Sequence, residues 1–171
     1  ITMTVEEANH LQSIVDTKGV PFVLAHTYTG HPMMMLAKEM VRQGKIGEVR
    51  KVEAWYNQGW LATPLEKEGL QQAEWRTDPT RTGISNCGGD IGTHAYNLAC
   101  FVTGLELDSL AADLTTFVDG RSLDDNVHIM MRFKGGARGM LWSSQVAPGN
   151  ENALRIRVYG SKGGIEWEQE Q

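Results

Sequence analysis

The sequence predicts an α+β fold, a predominantly antiparallel β-sheet with helices on one face, preceded by one helix and one strand of a doubly wound α/β sheet. Three observations carry this expectation. After Gly104 the chain reads almost wholly as strands, with Val127, Ile129, Met131 and Phe133 in strict alternation. Lys134-Gly135-Gly136 and Gly160-Ser161-Lys162-Gly163-Gly164 are short glycine connections of the hairpin type. Before Gly44 the apolar period is helical, apart from the continuous apolar run 20–25.

The first helix opens on the capping box Thr4 to Glu7, and Val5, Ala8, Leu11, Ile14 and Val15 recur at helical spacing until Lys18-Gly19. Residues 20–25 are short and apolar enough for a strand buried on both faces. Pro32 sits at a tolerated early position of a second helix, whose core stripe is expected at Met33, Leu36, Ala37, Met40 and Val41. Soft thioethers commonly fill core gaps, so the run Met33-Met34-Met35 is expected to pack rather than to bind a metal. From Glu48 the period becomes two, and Val52, Ala54 and Tyr56 alternate against Lys51, Glu53 and Trp55. The stretch 61–86 reads as a long irregular segment, a length that is usually functional in compact domains. Strands are then expected over 110–117, 127–133, 137–144, 154–158 and 165–167. No internal repeat or low-complexity tract interrupts them.

The chemistry concentrates in Gly88-Gly89-Asp90-Ile91-Gly92-Thr93-His94. Positions i and i+4 of a helix share a face, so a carboxylate and an acid/base imidazole can stand side by side there. Asp90 is equally placed to be a helix N-cap, which is the structural alternative. The helix that follows buries Ala95, Leu98, Ala99, Phe101 and Val102 in this reading, and Gly104 ends it. His31 starts a helix and His128 lies on the outward face of a strand, so both read as structural.

With 41% hydrophobic and 22% charged residues in 171, the chain has the composition of a soluble globular protein with a substantial core. A net charge of −5 with dispersed basic residues gives no footprint for nucleic acid or an anionic membrane. Cys87 and Cys100 form no metal spacing, and no further ligand stands at a spacing that would complete a zinc site around Asp90 and His94. A reduced, cytoplasmic setting is therefore expected, with no metal.

In its ordered segments the chain resembles the glucose-fructose oxidoreductase/inositol dehydrogenase/MocA family of nicotinamide-dependent sugar and polyol dehydrogenases. The residues that carry the resemblance run in order along the chain: Thr4-Val5-Glu6-Glu7-Ala8, Ala25-His26-Thr27-Tyr28, Gly44-Lys45-Ile46-Gly47-Glu48-Val49, Trp75-Arg76-Thr77-Asp78, Gly88 to His94, and Tyr159 to Gly164. The resemblance implies that residues 1–28 are the last helix and strand of a Rossmann-type domain. Residues 29–171 would then form the substrate-binding and oligomerisation domain, truncated at its C-terminus. It implies NAD or NADP as cofactor, with the glycine-rich dinucleotide turn and a lysine of an E-K-P motif lying ahead of Ile1. By resemblance Asp90 and His94 face the nicotinamide, and His94 accepts the hydroxyl proton of a sugar or polyol as hydride leaves the same carbon. Tyr28, Trp75, Arg76 and Asn86 are the expected substrate contacts, and His26 the cofactor contact. Trp75 and Arg76 are equally readable as packing residues. A homo-oligomer through the open sheet face is expected, where Trp142 and Trp167 need cover. Two other readings stay open: a non-catalytic sheet domain for oligomerisation or ligand sensing, and a cofactor-using glycoside-cleaving enzyme.

Overall fold

A computed structural model describes residues 2–170 of the chain. Six strands form one sheet in the order β2-β3-β4-β1-β5-β6: β1 (Val49–Asn57), β2 (Leu107–Thr115), β3 (Asn126–Phe133), β4 (Arg138–Ser144), β5 (Ala153–Gly160) and β6 (Gly164–Glu168). Every pairing is antiparallel except β1 with β4, which is parallel. The glycine connections at 134–136 and 161–163 do make hairpins, β3–β4 and β5–β6. The expected fold class is the one observed.

The helices are α1 (Val5–Lys18), α2 (Pro32–Arg42), α3 (Gln71–Thr77), α4 (Pro79–Thr82) and α5 (Thr93–Thr103). One sheet face is covered by α2 and α5. From α5, Ala95, Leu98, Ala99 and Val102 pack into a core with Val52, Ala54 and Tyr56 of β1, Leu141 of β4 and Leu154, Ile156 and Val158 of β5. Burying each Val, Leu or Ile side chain there contributes about 1.5–3 kcal/mol, so the α5–β1–β5 layer holds much of the core. Both functional elements described below grow from its ends.

Four expectations change. Residues 20–25 form no strand, and Val20, Phe22, Val23 and Leu24 are half exposed or more; a strand exists by pairing, and among the described residues none pairs with this run. For the same reason α1 buries no residue, although its caps form as expected: Thr4 Oγ1 accepts from Glu7 N (3.2 Å), and Gly19 closes the helix in the left-handed region at φ 61°. In α2 the core residues are Met34 and Ala37, whereas Met33, Met35 and Leu36 are exposed. Three consecutive methionines cannot fix the phase of a helix from sequence; docking on the sheet does. The segment 61–86 is not irregular throughout, since it contains a 3₁₀ turn at Leu65–Glu68 together with α3 and α4. Trp167 lies on the helix-covered face, packed against the core and 5.5 Å from the His31 ring between centroids, so of Trp142 and Trp167 it is Trp142 that belongs to the open face.

Candidate active site

The segment Gly88–Gly92 is a single π-helical turn that runs directly into α5. Such turns reposition side chains relative to a regular helix and recur at functional sites. Close packing on the sheet favours glycine here, because a Cβ on Gly92 would stand 3.0 Å from Ser143 Oγ, tighter than an ordinary contact. The entry to the turn is held by the buried Asp124, whose carboxylate accepts from Asn86 N (3.0 Å) and Gly88 N (2.7 Å). Asp90 is not the helix cap: the cap position is Gly92 and makes no side-chain bond.

Asp90 and His94 both line a cleft of about 490 Å³ with Tyr28, Tyr56, Gln58, Trp60, Gln72 and Arg76. No hydrogen bond joins the two among the described residues. Instead Asp90 Oδ2 accepts from Arg76 Nε (2.7 Å) and from Gln145 Nε2 (2.8 Å). Both donors are themselves held. The Arg76 guanidinium lies 4.1 Å from the Trp75 ring and 5.6 Å from the Trp60 ring, and its Nη1 donates to Gln72 Oε1 (2.7 Å). Gln145 is fully buried at the end of β4. The carboxylate is thus locked through one oxygen, and Oδ1 accepts from none of the described residues. That oxygen is the acceptor the cleft offers a ligand hydroxyl.

His94 takes its position from aromatic neighbours and one histidine. Its Nδ1 is 3.4 Å from His26 Nδ1, and the edge-on Tyr28 ring is 5.1 Å away between centroids. Burial, with His26 beside it, lowers the His94 pKa against the opposing pull of Asp90. At neutral pH the ring is therefore an uncharged base.

A second hydrogen-bond chain has a fixed direction. Asn152 Oδ1 can only accept, so Tyr56 Oη donates to it (2.6 Å), and Gln58 Nε2 donates to the same oxygen (2.8 Å). Having one proton, Tyr56 must accept from Tyr28 Oη. The Tyr28 proton is thereby committed, and its oxygen meets the cleft as an acceptor. Burial and the Tyr28 contact push the Tyr56 phenol far up, so it stays protonated.

Of the residues singled out from sequence, His94, Asp90, Arg76 and Tyr28 converge on the cleft, Trp75 backs Arg76, and His26 stands behind His94. Asn86 does not reach it: the side chain is buried and its amide has no partner among the described residues. Sequence reading did not find Tyr56, Gln58, Trp60, Gln72, Asp124, Gln145 or Asn152, because glutamines and asparagines in strands and loops carry no local signal of convergence. Cys87 is an inert core thiol, its pKa pushed up to about 12 by burial. Among the described residues no group of three His, Cys, Asp or Glu could hold a metal ion, and no helix is long and apolar enough to cross a membrane.

A carboxylate pinned through one oxygen and a half-buried imidazole thus line one polar cleft on the helix-covered side of a six-stranded α+β sheet. Residues 34–166 match the model of the GFO/IDH/MocA C-terminal domain, and the chain belongs to that family. It is similar in structure to an oxidoreductase from Sinorhizobium meliloti, with 50% identity and a TM-score of 0.84, over 99% of this chain and 43% of that one. An inositol dehydrogenase homolog from Azotobacter vinelandii, complexed with NADH and myo-inositol, is 31% identical with a TM-score of 0.89, over 98% and 42% of the two chains. Levoglucosan dehydrogenase of Pseudarthrobacter phenanthrenivorans is 27% identical over 99% of this chain and 48% of its own length. The chain spans less than half the length of the curated relatives it matches.

Proposed function

We propose that the chain is the substrate domain of an NAD(P)-dependent dehydrogenase that oxidises a secondary alcohol of a sugar or polyol. The observation that supports this best is the division of labour in the cleft: Asp90, pinned through Oδ2, holds a hydroxyl, while the uncharged His94 takes a proton. His94 accepts the proton of the reacting hydroxyl, and Asp90 Oδ1 and the Tyr28 oxygen accept from neighbouring hydroxyls of the same molecule. Three acceptors on one wall favour a ligand rich in adjacent donors, which a polyol is. A bound nicotinamide would supply the hydride acceptor.

The residues present fit only the reacting end of such a cofactor. No strand here leads through a G-x-G-x-x-G turn into a helix, the unit that grips a pyrophosphate. In this reading the exposed apolar side chains Phe22 and Leu24, with Leu11 and Val15 of α1, are the surface that the rest of a nucleotide-binding domain covers. The boundary between the two domains then falls near Tyr28. We expect this chain alone to leave NADH fluorescence unchanged on titration, and a chain extended at its N-terminus to the length of its relatives to bind in the micromolar range. Saturable binding by the chain alone would show that the cofactor site has been misplaced.

The open sheet face supports self-association. By register, Ala111, Met130 and Met140 form an apolar row beside Trp142, and the row continues through Glu53 into the paired Arg157 and Glu166. A second copy presents the same apolar half and the same charged half, the condition for a two-fold interface. Light scattering is expected to give a dimer or larger species and Met130→Asp a smaller one; a wild-type monomer throughout the micromolar range would end this reading. Two free cysteines fit a reducing, cytoplasmic setting.

A further inference from the structure

We infer that His26 is a positioning residue for His94, its Nδ1 accepting the His94 Nδ1–H so that His94 Nε2 is left as the proton acceptor on the cleft. The inference rests on the reading of His94 as the base. A neutral imidazole carries one proton on two nitrogens, so whatever keeps that proton on Nδ1 leaves Nε2 bare. The two Nδ1 atoms stand 3.4 Å apart, with the rings nearly perpendicular at 83°. Only one proton fits between them. If His26 were the donor, His94 would carry its own proton on Nε2 and have nothing with which to accept a hydroxyl proton.

The groups that face His94 leave His26 alone in this role. Tyr28 and Tyr56 present ring edges to it, and the Tyr28 hydroxyl is bonded to that of Tyr56. The Asp90 carboxylate, which also acts on it, is turned to Arg76 and Gln145. The place usually held by a carboxylate or a carbonyl oxygen behind an active-site histidine is held here by a second imidazole. Unlike a carboxylate, such a partner adds no negative charge behind the ring, and burial keeps the His94 pKa lowered. When Nε2 takes the hydroxyl proton, the Nδ1–H to His26 becomes a charge-assisted bond and no second proton has to move.

The test uses the protein extended to the length of its relatives, with His26→Ala and His26→Asn. An asparagine amide oxygen can stand near the position of Nδ1 and accept, but cannot be protonated there. His26→Ala is expected to lower kcat about 10- to 100-fold, the usual cost of removing an orienting partner. His26→Asn should stay within about threefold of wild type, given that an accepting atom is restored. NADH affinity should be unchanged in both. Long-range ¹⁵N NMR of labelled histidines should show the Nδ1–H form of His94 in wild type and His26→Asn, and lose it in His26→Ala. An Nε2–H His94 in wild type, or a His26→Asn as slow as His26→Ala, would overturn the inference. So would weakened NADH binding with kcat retained, which makes His26 a cofactor contact. Retained turnover in His94→Ala would instead remove the base assignment, while the tautomer spectrum would still report on His26.

Discussion

Replacing His94 by alanine in the extended protein is expected to lower turnover about 10²–10⁴-fold, the usual cost of removing a positioned general base. NADH affinity should hold within about twofold, since a group acting only on the reacting hydroxyl stabilises the transition state rather than the bound cofactor. The pH profile gives a second measure. Because burial and His26 lower the His94 pKa below its ordinary 6.5, the uncharged base persists in mildly acidic solution. kcat/KM should then be flat through neutrality and fall only as pH drops through the lowered value. A His94→Ala protein that keeps full turnover on its best polyol, with the same acid limb, would take His94 out of the chemistry.

Asp125→Ala is expected to destabilise the chain by about 3–5 kcal/mol, the range for breaking a buried ion pair from one side. Asp125 is fully buried and accepts from Phe117 N (2.9 Å) and Val118 N (3.0 Å), with Arg121 Nη1 at 3.4 Å. The nearly buried Arg121 also donates to Glu66 (Nη2 to Oε2, 2.9 Å) and to the carbonyl oxygens of Leu61 and Thr63. Loss of Asp125 strands two backbone N–H groups and halves the counter-charge on Arg121. Urea denaturation should show the lower midpoint, and Tm should drop on the order of 10 °C for a domain of this size. Glu66 sets the acid side of this network: burial, the largest single effect, pushes its pKa up, but the Arg121 hydrogen bond, a backbone hydrogen bond and the charges of Arg121 and Lys67 together outweigh it, and the net shift is downward. Its contribution is therefore present above the unfolded carboxylate pKa and is lost as pH falls through the folded value. An Asp125→Ala protein as stable as wild type would show that the network adds nothing to folding.

The same network shows why half of the site escaped sequence reading. Leu123-Asp124-Asp125-Asn126 looks like an ordinary acidic turn ahead of a strand, yet all four residues are buried. Asp124 clamps the glycine turn 36–38 residues earlier in the chain, and Asp125 shares Arg121 with a loop 55–60 residues away. No local pattern encodes such distances. Gln145 and Asn152 are hidden in the same way, each meeting its partner only after β4 and β5 have paired across β1.

What the sequence determined by itself is whatever depends on period, turn chemistry and order along the chain. Alternation at 127–133 and the glycine connections specify antiparallel strands, Thr4 and Gly19 bound the first helix, and Asp90 and His94 stand four apart on one element. The family is legible in the order of its segments. Tertiary structure decided the rest. It placed β1 between β4 and β5 with one parallel pairing, set the phase of α2 at Met34, and left residues 20–25 outside any strand, because a strand needs a neighbour that local sequence cannot supply. It also separated Asp90 from His94, giving one to Arg76 and Gln145 and the other to His26. Hydrogen-bond partners are chosen by which side chains the packed core brings within 3.5 Å, and only the closed sheet determines that.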